Sequence, residues 1–214
     1  MLTEWLDPSV IDEFDPDTRD LEFDIYSPDC PNKPPFTADF IAAFRERQRA
    51  RNRRITAWAE EMLATLRRRN DGETERAFVT HRTMCDVRWI DPTIDPMDAR
   101  RGILSWQSST VNVGPAGLAR FSTLRSWLSQ WSYDLSNSKA AVNATKIHRT
   151  PVLQIEMKRT TRFPRAIIRS FTTRSPCEQG ICEHQGPTHF YQGQPEHVSA
   201  CIDGIIDWSH RNDL

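Results

Sequence analysis

The chain has 214 residues, with 28 Lys+Arg against 29 Asp+Glu and a formal net charge of −1. That balance excludes the basic whole-surface footprint of a nucleic-acid binder, and seven Trp with ten Phe are poor material for a disordered chain. No apolar run nears the roughly 18 residues of a membrane helix, and five cysteines without regular spacing do not read as a disulfide framework, so a reducing, cytoplasmic setting away from membranes is expected.

The N-terminus, Met1 to Pro8, has neither the basic region nor the hydrophobic core of a signal peptide. Residues 1–36 are acidic and proline-rich, with Asp7-Pro8, Asp15-Pro16, Pro28-Asp29 and the stretch from Pro31 to Pro35. Such residues set turns and extended backbone, so an irregular arm is expected here. Thr37 suits a helix cap and Asp39 the first turn. Phe40, Phe44, Arg51, Ile55, Trp58, Met62 and Leu66 then follow a three/four spacing, predicting a helix over about 38–69 that Asn70-Asp71-Gly72 ends.

Arg76 to Met84 fits either a short helix or a strand, and Trp89-Ile90-Asp91-Pro92 and Asp95-Pro96 force turns. Gly114-Pro115 opens a second predicted helix, with Leu118, Phe121, Leu124, Leu128 and Trp131 on one face. Pro151 to Ile155 reads as a short buried strand, and residues 157–186 show no usable period. Pro195 and Glu196 start a terminal helix with an apolar stripe of Val198, Cys201, Ile202, Ile205 and Trp208.

Three constellations carry possible chemistry. Six arginines lie within Arg45 to Arg54 and are able to grip an anion. At helical spacing they spread over more than one face, where acidic residues of 1–29 can neutralise them, and a solvated or internally paired helix is the commoner outcome. Cys177, Cys182, His184 and His189 form a Cys-x4-Cys-x-His-x4-His array. Its spacing matches no established zinc module, so no metal and no cofactor are expected. His189 itself, in Gly186-Pro187-Thr188-His189-Phe190-Tyr191, follows a short strand and precedes a helix. Open α/β sheets place functional groups there, although a loop histidine is more often simply solvated. No Gly-x-Ser-x-Gly, phosphate-binding loop or dinucleotide fingerprint occurs in the sequence.

Several blocks resemble a group of bacterial serine α/β-hydrolases. They are Pro31-Asn32-Lys33-Pro34-Pro35-Phe36, Arg51 to Trp58, and His81-Arg82-Thr83-Met84. Gly117 to Phe121, Thr123 to Ser132, and the tail Thr188-His189-Phe190-Tyr191-Gln192-Gly193-Gln194-Pro195-Glu196 complete the set. The similarity covers most of residues 1–155 and 187–214. It implies an α/β fold: the C-terminal portion of an α/β-hydrolase sheet with a mostly helical cap. Residues 1–36 would be the irregular arm, 37–150 the helical cap region, and 151–214 the C-terminal part of the core. The family hydrolyses an ester, thioester or amide of a small-molecule acyl substrate, with the order serine, cap, acid, histidine. His189 would be the general base. The serine would come from a separately encoded N-terminal half, so these residues are expected to be inactive alone. The rival expectations are a non-catalytic binding or complementation module, and an anion-binding helical protein using Arg45–Arg54.

One departure is informative. After Ile155 the resemblance implies Ala-Asp-Asp and then Pro-Ser-His, but the sequence has Lys158-Arg159-Thr160-Thr161-Arg162-Phe163-Pro164, with no acid. A frameshift over 157–186 would account for this. Lys158 onward, back-translated with free third bases and read two nucleotides in, permits Ala-Asp-Asp-Ala and later Ser-His. Cys177 to Gly186, read one nucleotide in, permits Ala-Asn-Lys-Glu-Phe-Val-Ser-Ile-Lys-Gly, a strand leading into the histidine loop. The metal-like array would then be a product of the wrong frame.

Overall fold

A computed structural model describes residues 21–83, 85–94, 112, 121–157, 179–184, 187 and 191–214. Helices and two small sheets give mixed α and β content. Among the described residues no helix is long and apolar enough to cross a membrane. The chain divides into two compact units, one drawn from residues 1–91 and 108–138, the other from 92–107 and 139–214.

The first unit is built on helix α1, Ala38–Arg69. Thr37 accepts a hydrogen bond from the Phe40 N–H through its side chain, Asp39 faces the positive helix end, and Arg67, Arg68 and Arg69 occupy the last turn. Asn70 closes the helix in the left-handed region (φ 50°), a conformation asparagine tolerates better than most residues. The predicted limits, cap and stop are those observed. The polar interruption in the apolar stripe, Arg51, is buried with it, because its Nη2 donates to the His81 carbonyl at 2.8 Å and to Thr80 Oγ1 at 3.3 Å.

Residues 21–36 pack on the first turns of α1. Phe23 and Phe36 both stack on Phe40, at 5.4 and 4.9 Å between ring centroids. The Phe36 N–H donates to the fully buried Asp91 carboxylate at 2.7 Å, which satisfies a charge that would otherwise be costly to bury.

Strand β1 (Ala77–Val79) pairs antiparallel with β2 (Phe121–Thr123), setting Phe78 opposite Ser122. Period-two alternation buries that pair and exposes Val79 and Phe121. This corrects the second predicted helix: Phe121 lies in a strand and points to solvent, 71% exposed, while residues 114–120 lie outside the described set. Helix α2 starts only at Leu124 (Leu124–Ser126), after a reciprocal Thr123–Ser126 capping box, and runs on as a π-helical turn over Trp127–Trp131. Leu124 and Trp127 pack with Ile55, Ala59, Leu63 and Leu66 of α1 and Phe78 of β1 to make the core.

In the second unit, helix α3 (Ala140–Ala144) precedes strand β3 (Val152–Met157), which extends the strand predicted from Pro151 to Ile155. β3 pairs parallel with β4 (Gln179–His184), in register from Val152 opposite Gln179 to Met157 opposite His184. β4 forms within a segment where no period was legible. A parallel pair needs a crossover of about a dozen residues or more, and residues 158–178 supply the length. Helix α4 (Pro195–Arg211) closes the unit and lies against β4. Pro195 takes the opening position and Glu196 the first turn, as predicted.

Candidate functional site

His189 lies outside the described residues, as do Thr160 and Thr161 near the expected place of the acid. What is described is the frame on either side. β4 ends at His184, Pro187 is buried, and Tyr191 (φ 51°) with Gly193 (φ 69°) turns the chain into α4, the Gln194 N–H donating to the Tyr191 carbonyl at 3.0 Å. Residues 185–194 therefore join the carboxyl end of a parallel strand to the N-terminus of the last helix. Of the metal-like array, Cys182 and His184 belong to β4, and Cys177 and His189 lie outside the described set. Among the described residues no three His, Cys, Asp or Glu side chains converge to hold a metal.

The first unit contains a pocket of about 220 Å³. Three guanidinium groups line it, Arg49, Arg51 and Arg82, together with the aromatic rings of Trp127, Trp131 and Tyr133. Arg49 and Arg51 sit two apart on α1 and flank the pocket with Gln48 and Asn52. Arg82 comes from the loop after β1, and the aromatics come from the π-helical turn and the residues behind it. π-Turns inside helices are costly and recur at functional sites. Here the widened turn is held at its end by Asn52, whose Nδ2 donates to the Trp131 carbonyl at 2.8 Å and whose Oδ1 accepts from the Tyr133 N–H at 2.6 Å. The Ser132 N–H reaches back to the Trp127 carbonyl at 2.9 Å, the five-residue step of the π-helix.

The arginine run is distributed among local partners. Arg49 pairs with Glu46, and Arg53 forks onto Asp134 at 2.8 and 3.2 Å while lying 5.5 Å from the Tyr133 ring centroid. Arg47 lies 4.1 Å over the Phe23 ring. The hydrogen bond and charge of Arg49 hold the Glu46 carboxyl below its ordinary range, and the Asp134 carboxylate raises the Arg53 guanidinium. Asp86 is drawn on by two opposing causes. Burial raises its pKa, and the Arg88 side chain and backbone hydrogen bonds, with the charges of Arg88 and Arg45, outweigh burial and lower it.

Arg49 and Arg51 of this pocket fall in the arginine run that the sequence offered as an anion grip, while its Arg82 and its tryptophans were not singled out as a site, although they fall in blocks that carry the hydrolase resemblance. No family model, no curated protein and no solved structure matches the chain.

Proposed function

We propose that these 214 residues are the cap and histidine-bearing part of a serine α/β-hydrolase, inactive as they stand, and that His189 acts only once a serine from outside them is brought to it. The observation that carries this reading is the parallel β3–β4 pair followed by α4, with His189 in the segment joining β4 to α4. That is the order in which such hydrolases present their base. The sequence resemblance in the histidine segment and in the tryptophan-bearing cap blocks supports it independently.

The chemistry follows from what is present and what is absent. The imidazole of His189 accepts the serine proton as the hydroxyl attacks an acyl carbon, then returns it to the leaving alcohol, thiol or amine. It needs a carboxylate to fix its tautomer and stabilise the imidazolium, and threonines at 160 and 161 carry no charge. With no Gly-x-Ser-x-Gly in the sequence, the nucleophile elbow of the family is also missing from these residues. The substrate class is a small-molecule ester, thioester or amide. The rival reading is a non-catalytic binding or complementation module, in which His189 takes no proton.

The test is an aryl-ester assay on the purified chain, alone and mixed with a separately expressed segment bearing Gly-x-Ser-x-Gly from the same locus. The chain alone should be silent. Any activity in the mixture should fall by about 10²-fold with His189→Ala, because a triad already lacking its acid has little more to lose. Turnover by the chain alone that is abolished by His189→Ala would overturn the reading. The frameshift part has its own test in the DNA: offset frames that do not encode Ala-Asp-Asp and Glu-Phe-Val-Ser-Ile end it.

A further inference from the structure

We infer that the exposed apolar stripe of α4, together with β3, is the surface on which the serine-bearing segment docks as a separate chain. The inference rests on the reading proposed above and adds to it the place of contact.

The case starts from spacing on α4. His197, Cys201, Gly204 and Trp208 recur at three and four residues and are half-buried, the side that the helix turns to β4, the strand it lies against. Val198, Ile202 and Ile205 each stand one position further on, so about 100° of helix separates the two stripes. These three and Ile206 are exposed. A helix is about 10 Å across and neighbouring strands are about 4.8 Å apart, so a helix on a sheet covers two strands. β4 takes up one stripe of α4 and leaves an apolar arc for a neighbour.

β3 points the same way. Parallel strands occur almost only where both faces of the sheet are covered. Val152 and Gln154 lie on one face of β3 and Leu153 and Ile155 on the other, and all four are only half-buried. Water therefore meets aliphatic side chains on both faces of the strand.

Area, charge and reach choose the occupant. The exposed side chains of α4 offer on the order of 300 Å² of apolar surface, against the roughly 800 Å² per partner of a stable interface, so a partner must extend beyond the helix. β3 and α4 both adjoin β4, which puts β3 within its reach. A second copy of the chain fits poorly. Two such stripes related by a two-fold axis run antiparallel, and centring them on Ile202 and Ile205 sets the Asp203 carboxylate beside that of the copy. The serine-bearing segment has no such symmetry to satisfy. It must also come within proton-transfer reach of His189, in the segment joining β4 to α4, and those are the two elements that carry the surface.

The experiment is sedimentation velocity of the full chain with the segment bearing Gly-x-Ser-x-Gly from the same locus, read beside aryl-ester turnover. A one-to-one complex should form, and Ile202→Glu should weaken it by on the order of 100-fold, because docking would bury a carboxylate against an apolar layer. Phe121→Glu, at an exposed apolar position of the first unit, should leave the complex unchanged, and so should His189→Ala, which acts on turnover. Should Ile202→Glu not fold, Val198→Glu takes its place with the same expectation. A complex indifferent to the folded variants overturns the surface and leaves the hydrolase reading standing. A complex that they break but that turns over no ester supports the surface and passes the function to the non-catalytic rival. Absence of any complex, or a chain that dimerises alone through a contact that Ile202→Glu dissociates, overturns the inference.

Discussion

Arg82 and Asp24 form a buried ion pair, Nη1 to Oδ1 at 2.9 Å, with the two side chains 9% and 2% exposed. The pair ties residues 21–36 to the loop after β1. Arg82 sits at φ 58°, its N–H donating to the Asn112 carbonyl at 3.0 Å, and the Asn112 amide donates to the Tyr26 hydroxyl at 3.1 Å. Removing one partner of such a pair strands the other charge without water. Asp24→Ala should therefore cost about 3–5 kcal/mol in urea unfolding. The double variant Asp24→Ala/Arg82→Met should cost less than the sum of the single changes. Additive losses would show that the two groups do not act on each other.

Asn52 is the second point where a single side chain holds a loop in place. Its amide bridges the Trp131 carbonyl and the Tyr133 N–H, so Asn52→Ala loses a donor and an acceptor at once and should cost about 1–2 kcal/mol. Asn52→Asp keeps the acceptor for Tyr133 and should recover part of that. Chemical denaturation followed by tryptophan emission reads both. If the aspartate variant is as damaged as the alanine one, the Tyr133 contact contributes nothing.

These two residues also show what was legible in the sequence. α1 could be read because its signals are local: a cap at Thr37, a three/four apolar spacing, an asparagine able to turn left-handed at position 70. Even the buried Arg51 stood in the stripe. Its partners, Thr80 and His81, lie some thirty positions away and left no trace in the periodicity. Phe121 was assigned to a helix because its spacing to Leu124, Leu128 and Trp131 is helical. Pairing with Val79 across more than forty residues made it a strand residue instead. β4 had no period, since its partner β3 lies more than twenty residues earlier and parallel pairing rewards no local alternation. The pocket as a whole was invisible for the same reason, since three separate segments build it, although Arg49 and Arg51 stood in the arginine run. His189 was legible from its place between a short strand and a helix and from the resemblance carried by Thr188 to Glu196.

Acid should expose the Asp86 turn. Asp86 Oδ1 accepts from the Arg88 N–H and Nε, both at 2.9 Å, and Oδ2 from Nη2 at 2.6 Å, capping the short 3₁₀ turn Val87–Trp89. Its folded pKa is lowered, so its contribution is present above the unfolded value of about 4 and is lost as pH falls through the folded value. Asp86→Asn should lower stability by about 0.5–2 kcal/mol near neutrality, the usual size of a lost cap. Below about pH 4 the gap between variant and parent should narrow. Parallel stability curves across that range would remove Asp86 from the account.

The last helix offers the sharpest contrast between pattern and packing. Of the apolar stripe that the spacing predicts on α4, Cys201 and Trp208 are half-buried, yet Val198, Ile202 and Ile205 are between 39% and 49% exposed, as is Ile206 beside them, and no residue of α4 is fully buried. A stripe of this kind on an otherwise well-capped helix is a surface that apolar probes should find. The chain should bind a hydrophobic dye, and Ile202→Glu should reduce that signal while changing stability by no more than about 0.5 kcal/mol. The two readouts separate the alternatives. A dye signal indifferent to Ile202→Glu places the exposed apolar surface elsewhere. A loss of more than about 2 kcal/mol would mean that the stripe is packed in solution, because a charge introduced at an already solvated position has little desolvation to suffer.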